Sequence, residues 1–307
     1  MNQHLHSIDP EVGATAGYWH VAEDGHIWIP DLRLSAANKG FVKGAFGLRL
    51  PAAYDGPWLL PKNNPMKRYS VLRSRDVLHD FVRLAKTPEQ KTFLGFADKW
   101  GQLGGKFPVV DPSNNLLLAE PLMLWEEESC LLATLWQTWD AVRTLSTKGM
   151  PTDEHLLAKS HLQDRVIWTS ANRVLFSWPN PISRREVIAY GATPQGLSLL
   201  ERWKAGDTIE PARFYVHKQI NRCLNGHVQM QVATFQNSKI RFVPDSLRTA
   251  IYMHFAFELA GTEGNERTCL NPRCPNGGVF FPTRRDKQYC DTRCRDLAGY
   301  HRRKNAN

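Results

Sequence analysis

The sequence predicts an α+β protein whose local character changes in order along the chain. A β-rich N-terminal segment (1–70) leads into a mainly helical body (71–205), an α-β-β-α unit (206–264) and a small cysteine-bearing module (265–307). Three observations carry that expectation. Up to residue 70 the chain alternates apolar and polar residues and is broken repeatedly by Gly and Pro, which favours short strands and turns. From residue 74 apolar residues recur at helical spacing behind recognisable caps. Finally, four of the six cysteines fall within the last forty residues or so, in two short-spaced pairs.

The composition of the 307 residues is that of a folded protein: 42% hydrophobic and 22% charged, with ten Trp, which excludes wholesale disorder. The first residues lack the basic start and apolar run of a secretion signal, and no stretch has the length of a membrane span. The expectation is a cytoplasmic protein with no membrane partner, whose cysteines stay reduced and form no disulfide framework.

Taken in order, Trp19 to Pro30 alternates around Asp24-Gly25 and reads as a two-residue β-hairpin. Ser74 can cap a helix with Val77, Leu78, Phe81, Val82 and Ala85 on one face. Thr87-Pro88-Glu89-Gln90 opens a second helix, which buries Phe93, Leu94, Ala97 and Trp100 and stops at Gly101. Between Pro121 and Leu145 a longer helix carries Leu124, Leu131, Leu132, Leu135, Trp139 and Val142, a stripe that reads as core. Within it, Glu126-Glu127-Glu128 reads as a solvated face. Cys130 and Cys223 stand alone in helical patterns and read as buried small apolar residues.

The α-β-β-α unit is assembled from four local signals. Pro211 opens a helix bearing Phe214, Val216, Ile220 and Leu224, which ends at Asn225-Gly226. Val228, Met230 and Val232 alternate on one strand, Ile240 and Phe242 on the next, with a turn at Asn237-Ser238. Asp245 then caps a helix through Leu247, Ile251, Phe255 and Leu259.

The last module carries the chemistry. Its pattern is Cys269-x4-Cys274-x15-Cys290-x3-Cys294, with Asn271-Pro272 and Pro275-Asn276-Gly277-Gly278 supplying tight turns. Two close thiolate pairs satisfy the tetrahedral preference of one zinc ion, and four protein ligands leave no open position for water or substrate. The expected metal is therefore a single structural zinc held by Cys269, Cys274, Cys290 and Cys294, with no catalytic residue in the module. Val279-Phe280-Phe281 reads as a strand, and Asp291 or Thr292 caps a helix running toward Arg303. The order of knuckle, hairpin and ligands on a helix N-terminus is a treble-clef-like zinc finger. Along that helix Cys294, Leu297, Ala298 and His301 share a face. Tyr289 and Tyr300 can pack the finger or stack on bases, with packing the expectation.

Charge is equally concentrated. From Arg267 onward ten Lys and Arg face three Asp, a surplus of seven out of the whole chain's nine. Four thiolates and one Zn²⁺ sum to a charge of about −2, which nearby arginines offset, so most of the surplus awaits an external anion. Arg284, Arg285, Arg295, Arg302, Arg303 and Lys304 are the candidate contacts to nucleic-acid phosphates.

The C-terminal region resembles the CGNR-type and related treble-clef zinc fingers of bacterial regulators. The resemblance is carried by Cys269, Asn271, Pro272, Cys274, Phe280 or Phe281, Arg284, Arg285, Asp286, Tyr289, Cys290, Cys294, Arg295 and the closing Tyr300-His301-Arg302-Arg303-Lys304. The Gly-Asn-Arg motif itself is absent, since Arg-Asp-Leu follows Cys294. What the resemblance implies is zinc binding and, through it, DNA or RNA binding and control of transcription. Two other classes stay open: a protein-interaction or assembly module with a purely structural zinc, the body binding a partner or itself, and a nucleic-acid-processing enzyme with catalysis in the body. No His-Glu-x-x-His helix, phosphate loop, dinucleotide fingerprint or nucleophile elbow supports the enzyme.

Overall fold

The computed structural model describes residues 18–35, 41–43, 49–51, 53–62, 66–70, 76–146, 153–169, 173–178, 185–189, 198–199, 201–202, 204–233, 239–259, 267–271, 279–280, 288–289 and 292–305. They mix helices with several sheets, an α+β architecture. The chain packs as two compact units, neither continuous in sequence. One draws on Met1–His79, Leu94–Glu120 and Cys223–Asn307, the other on Asp80–Phe93 and Pro121–Arg222.

In the first unit the N-terminal segment forms β1 (Tyr18–Ala22), β2 (His26–Ile29), β3 (Arg33–Leu34), β4 (Phe41–Lys43), β5 (Arg49–Pro51), β6 (Trp58–Pro61) and β7 (Met66–Ser70). The Asp24-Gly25 turn is present: the Gly25 amide donates to the Ala22 carbonyl at 3.1 Å, with φ of +77°. The expected hairpin is not, because β1 pairs antiparallel with β7 and β2 with β6. A side chain distant in sequence intervenes. The His26 amide, first in β2, donates to Asp98 Oδ1 at 2.6 Å. A Cβ on Gly25 would lie 2.8 Å from that same oxygen, so the turn glycine also admits the carboxylate.

Two strands lie where the sequence pointed to a mainly helical body. β8 (Phe107–Val110) and β9 (Leu116–Pro121) form a hairpin closed by Asp111, whose carboxylate accepts from the Asn115 amide at 2.7 Å and its side-chain NH₂ at 2.9 Å. They complete a five-stranded sheet in the order β2-β6-β9-β8-β3. Phe107 and Val109 are buried and Pro108 exposed, the alternation of a strand with one face on a core. Trp58 is fully buried there. Its indole donates to the Leu32 carbonyl at 3.1 Å, and its ring meets Phe107 edge-on at 6.2 Å.

Helices α1 (Asp76–Leu84) and α2 (Gln90–Trp100) follow the sequence reading closely; the proposed Ser74 cap lies outside the described residues. Val77, Leu78, Phe81, Phe93, Ala97 and Trp100 are buried, and α2 stops where Gly101 adopts φ of +93°. The second unit is organised by α3 (Leu122–Ser146), whose Trp125 is enclosed by Phe81 and Phe93 at 6.3 and 6.0 Å between ring centres. α4 (Asp153–Arg165) joins it through Ala141, Val142, Ala158 and Leu162. β10 (Val166–Thr169), β11 (Arg173–Trp178) and β12 (Arg185–Ala189) form an antiparallel meander, again strands within the segment read as helical. Their β-branched and aromatic runs are the signal that favours strand here.

The solvated reading of Glu126-Glu127-Glu128 is corrected. Glu127 and Glu128 are each 8% exposed, and burial raises the Glu126 carboxyl above its ordinary pKa. Three consecutive helical residues sweep about 200° of the helix circumference and cannot share a solvent face.

The four elements read as an α-β-β-α unit occur in the expected order, with the first helix up to Arg222 in the second compact unit and the residues from Cys223 in the first. α5 (Ile209–Leu224) begins under Asp207, whose Oδ1 accepts from the Ile209 amide at 2.9 Å, so Pro211 lies inside the first turn. After Gly226 (φ +77°) come β13 (Val228–Ala233) and β14 (Lys239–Pro244), paired antiparallel with Met230 opposite Phe242. The Asn237-Ser238 turn lies outside the described residues. α6 (Leu247–Leu259) is capped one residue later than expected: Ser246 Oγ accepts the Thr249 amide at 3.1 Å. Asp245 has another task. Its Oδ1 accepts from the Thr249 hydroxyl at 2.8 Å, and its Oδ2 lies 2.6 Å from His227 Nδ1.

Candidate metal centre and nucleic-acid interface

In the C-terminal module β15 (Arg267–Thr268) pairs antiparallel with β16 (Val279–Phe280), Arg267 opposite Phe280. That pairing folds the chain back after the first cysteine pair, as the proline- and glycine-rich turn sequence requires. One residue past Cys269, the Leu270 amide donates to the Gln288 carbonyl at 3.1 Å, fastening the knuckle to the segment carrying the second pair. Helix α7 (Thr292–Asn305) then starts between Cys290 and Cys294.

The result is convergence of two cysteines twenty-five positions apart. Cys269 and Cys294 are 4% and 0% exposed and form one buried cluster, with Tyr289 packed against it. Both thiols are free of disulfides. Asn271, in the knuckle, is fully buried as well. Two adjacent buried sulfurs beside a helix N-terminus suit a soft, thiolate-binding cation, and Cys269 and Cys294 would supply half of a tetrahedral set. Cys274 and Cys290 lie outside the described residues. Among the described residues no group of three or more His, Cys, Asp and Glu could hold a metal ion.

The basic candidates divide similarly. Arg295 is exposed on α7, with Nε 3.3 Å from Asp296 Oδ1, and Arg293 is exposed on the same helix. Arg302, Arg303 and Lys304 belong to α7, but their side chains are outside the description, as are Arg284 and Arg285 altogether. The face expected to turn inward does so where it is described: Cys294 and Ala298 are buried and Leu297 partly so. The two tyrosines part company. Tyr289 packs on the cysteines, whereas Tyr300, expected to pack, is 54% exposed.

Outside the module, the structure gathers titratable groups that sequence reading did not single out. His26 is buried with Nδ1 3.3 Å from Asp98 Oδ1, and desolvation holds its imidazole below its ordinary pKa despite that carboxylate. Glu120 is fully buried and accepts from the amides of Leu103 (3.0 Å) and Gly104 (2.5 Å). Burial pushes its carboxyl up, while those amides and Lys106 pull it down. Lys106 is held below the usual lysine range by its own burial. Glu120 receives its hydrogen bonds from the backbone and His26 is closed off from solvent, so both read as supports of the sheet's end. Their only sequence signal was a polar residue at an inward strand position, which no local pattern distinguishes from a surface one. Cys223 is buried, with Arg248 Nη2 donating to its Sγ at 3.3 Å, and Cys130 is half-buried.

No family model, curated protein or solved structure matches the chain. Among the described residues no helix is long and apolar enough to cross a membrane.

Proposed function

We propose that the protein binds nucleic acid through a C-terminal treble-clef-like finger folded on one structural zinc, and that it serves as a bacterial-type transcriptional regulator in the cytoplasm. Cys269, Cys274, Cys290 and Cys294 would hold the metal. When bound, it would cross-link the knuckle to the start of α7 and leave no position for a reacting ligand. Arg284, Arg285, Arg295, Arg302, Arg303 and Lys304 would contact phosphates, and the remainder of the chain would sense a signal or bind a partner.

The single observation that carries this reading is the joint burial of Cys269 and Cys294 at the base of a helix whose Arg293 and Arg295 are exposed. Such a pair would hold the start of the helix while Arg293 and Arg295 lie at the surface, where an anion could reach them. The concentration of seven of nine net charges from Arg267 onward gives that anion many partners.

The test is binding of the zinc-loaded chain to fluorescent DNA and RNA oligonucleotides across a KCl series. The expected outcome is affinity that falls steeply with salt, and a shallower slope, by about one unit per lost phosphate contact, when Arg302 and Arg303 are replaced by Ala. Absence of salt-sensitive binding to any nucleic acid would overturn the reading.

A further inference from the structure

We infer that the finger's target is single-stranded nucleic acid, with Tyr300 as a stacking platform for an unpaired base. The inference rests on the nucleic-acid reading above and narrows its substrate class. Tyr289 and Tyr300 are chemically alike, yet the fold uses them differently. Tyr289 is partly buried, packed against Cys269 and Cys294. Tyr300 is 54% exposed on the helix that carries the basic residues. It follows the exposed Arg293 by about two helical turns and is followed, after His301, by Arg302, Arg303 and Lys304 in the same helix. Leu270, on the knuckle, is 57% exposed and adds aliphatic surface to the same small module.

Contacts to phosphate are made by cations, hydroxyls and amides, and none of them calls for the face of an aromatic ring. Stacking needs such a ring. In a duplex both faces of every base are covered by neighbouring pairs, so a ring on a helix surface finds no base face to meet. In a single strand the faces are available and the neighbouring cations track the backbone. This also resolves how one finger could recognise its target. A lone module reads little in a groove, whereas stacking requires no groove and tolerates any base. Single-stranded DNA and RNA share this chemistry, and the sugar is decided by comparing them.

The test measures fluorescence anisotropy of the full zinc-loaded chain with a single-stranded DNA, the same sequence as RNA, and the DNA duplex, at one salt concentration. Wild type is compared with Tyr300→Ala, Tyr300→Phe and Tyr300→Trp, each with its zinc content and circular dichroism measured. The expected result is tighter binding to at least one single strand than to the duplex. Tyr300→Ala should weaken single-strand binding by about five- to hundredfold, leave duplex binding within about twofold, and retain its zinc, while Phe and Trp restore single-strand affinity. Equal loss on single strand and duplex, no loss on the single strand, or preference of the wild type for the duplex would each overturn the inference while leaving nucleic-acid binding standing. Failure of the wild type to bind any of the three probes would overturn both.

Discussion

Replacing Cys294 by Ala separates a metal site from an ordinary apolar core. Among the described residues Cys294 is fully buried in a cluster with Cys269, with Tyr289 packed alongside. Removing one sulfur from it would cost about 1 kcal/mol, the order of a single buried methyl-sized group. Against this stands a fourteen-residue helix, α7, at the length where isolated helices are marginal in water. Ordering each of its residues costs about 1–2 kcal/mol of backbone entropy. Zinc, if bound as proposed, would contribute roughly 10–16 kcal/mol of apparent binding energy at neutral pH and offset much of that cost. Cys294→Ala is therefore expected to remove one equivalent of zinc and to open the module, with trypsin cutting after Arg293 and Arg295 while the rest of the chain resists. Cys223→Ala, at a buried thiol beside Arg248, serves as the control and should leave the metal content unchanged. The assay is elemental analysis of purified protein beside a proteolysis time course. Zinc content equal in wild type and Cys294→Ala, with the tail still protected, would refute the reasoning and make the cysteines a packing pair.

Other expectations concern the rest of the first unit and are read by urea unfolding of its strands and helices. Ser246→Ala removes the oxygen that caps α6 and should cost about 1 kcal/mol, more than a substitution at exposed Gln229. Glu120→Ala leaves the buried amide of Leu103 without its acceptor, for roughly 1–3 kcal/mol, and the half-buried amide of Gly104 as well, for less, and Glu120→Gln, which keeps an acceptor oxygen, should cost less. His26 carries a pH dependence whose sign follows from its depressed imidazole. The unfolded chain binds its proton more readily than the folded one, so stability should fall as pH drops below about 6.5 and level off once pH passes below the folded-state value. His26→Gln should flatten that slope, and an unchanged slope would show that other groups set it.

Several features could be read locally because their causes are local. The helices from Asp76 to Trp100 and the one from Leu122 to Ser146 follow from apolar spacing, and the stop at Gly101 follows from a conformation that glycine adopts without penalty. The α-β-β-α unit was legible for the same reason, apart from the shift of its cap from Asp245 to Ser246. Both residues are good caps, and only the position of the Thr249 amide selects one. The glutamates at 126–128 were misread because sequence shows charge but not what surrounds a helix on its other sides.

The candidate site shows the same division. The chain by itself determined which cysteines could act together and where the positive charge collects, since spacing, turn residues and charge are properties of one short segment. Pairing and exposure were decided only by the tertiary structure. The Asp24-Gly25 turn does not make its strands partners, because Asp98 takes the amide of His26 and β1 and β2 find β7 and β6 instead. Likewise two tyrosines in one module carry the same intrinsic preference, yet Tyr289 is partly buried against Cys269 and Cys294 while Tyr300 is 54% exposed. Burial depends on what arrives from elsewhere in the chain, and no local pattern records that arrival.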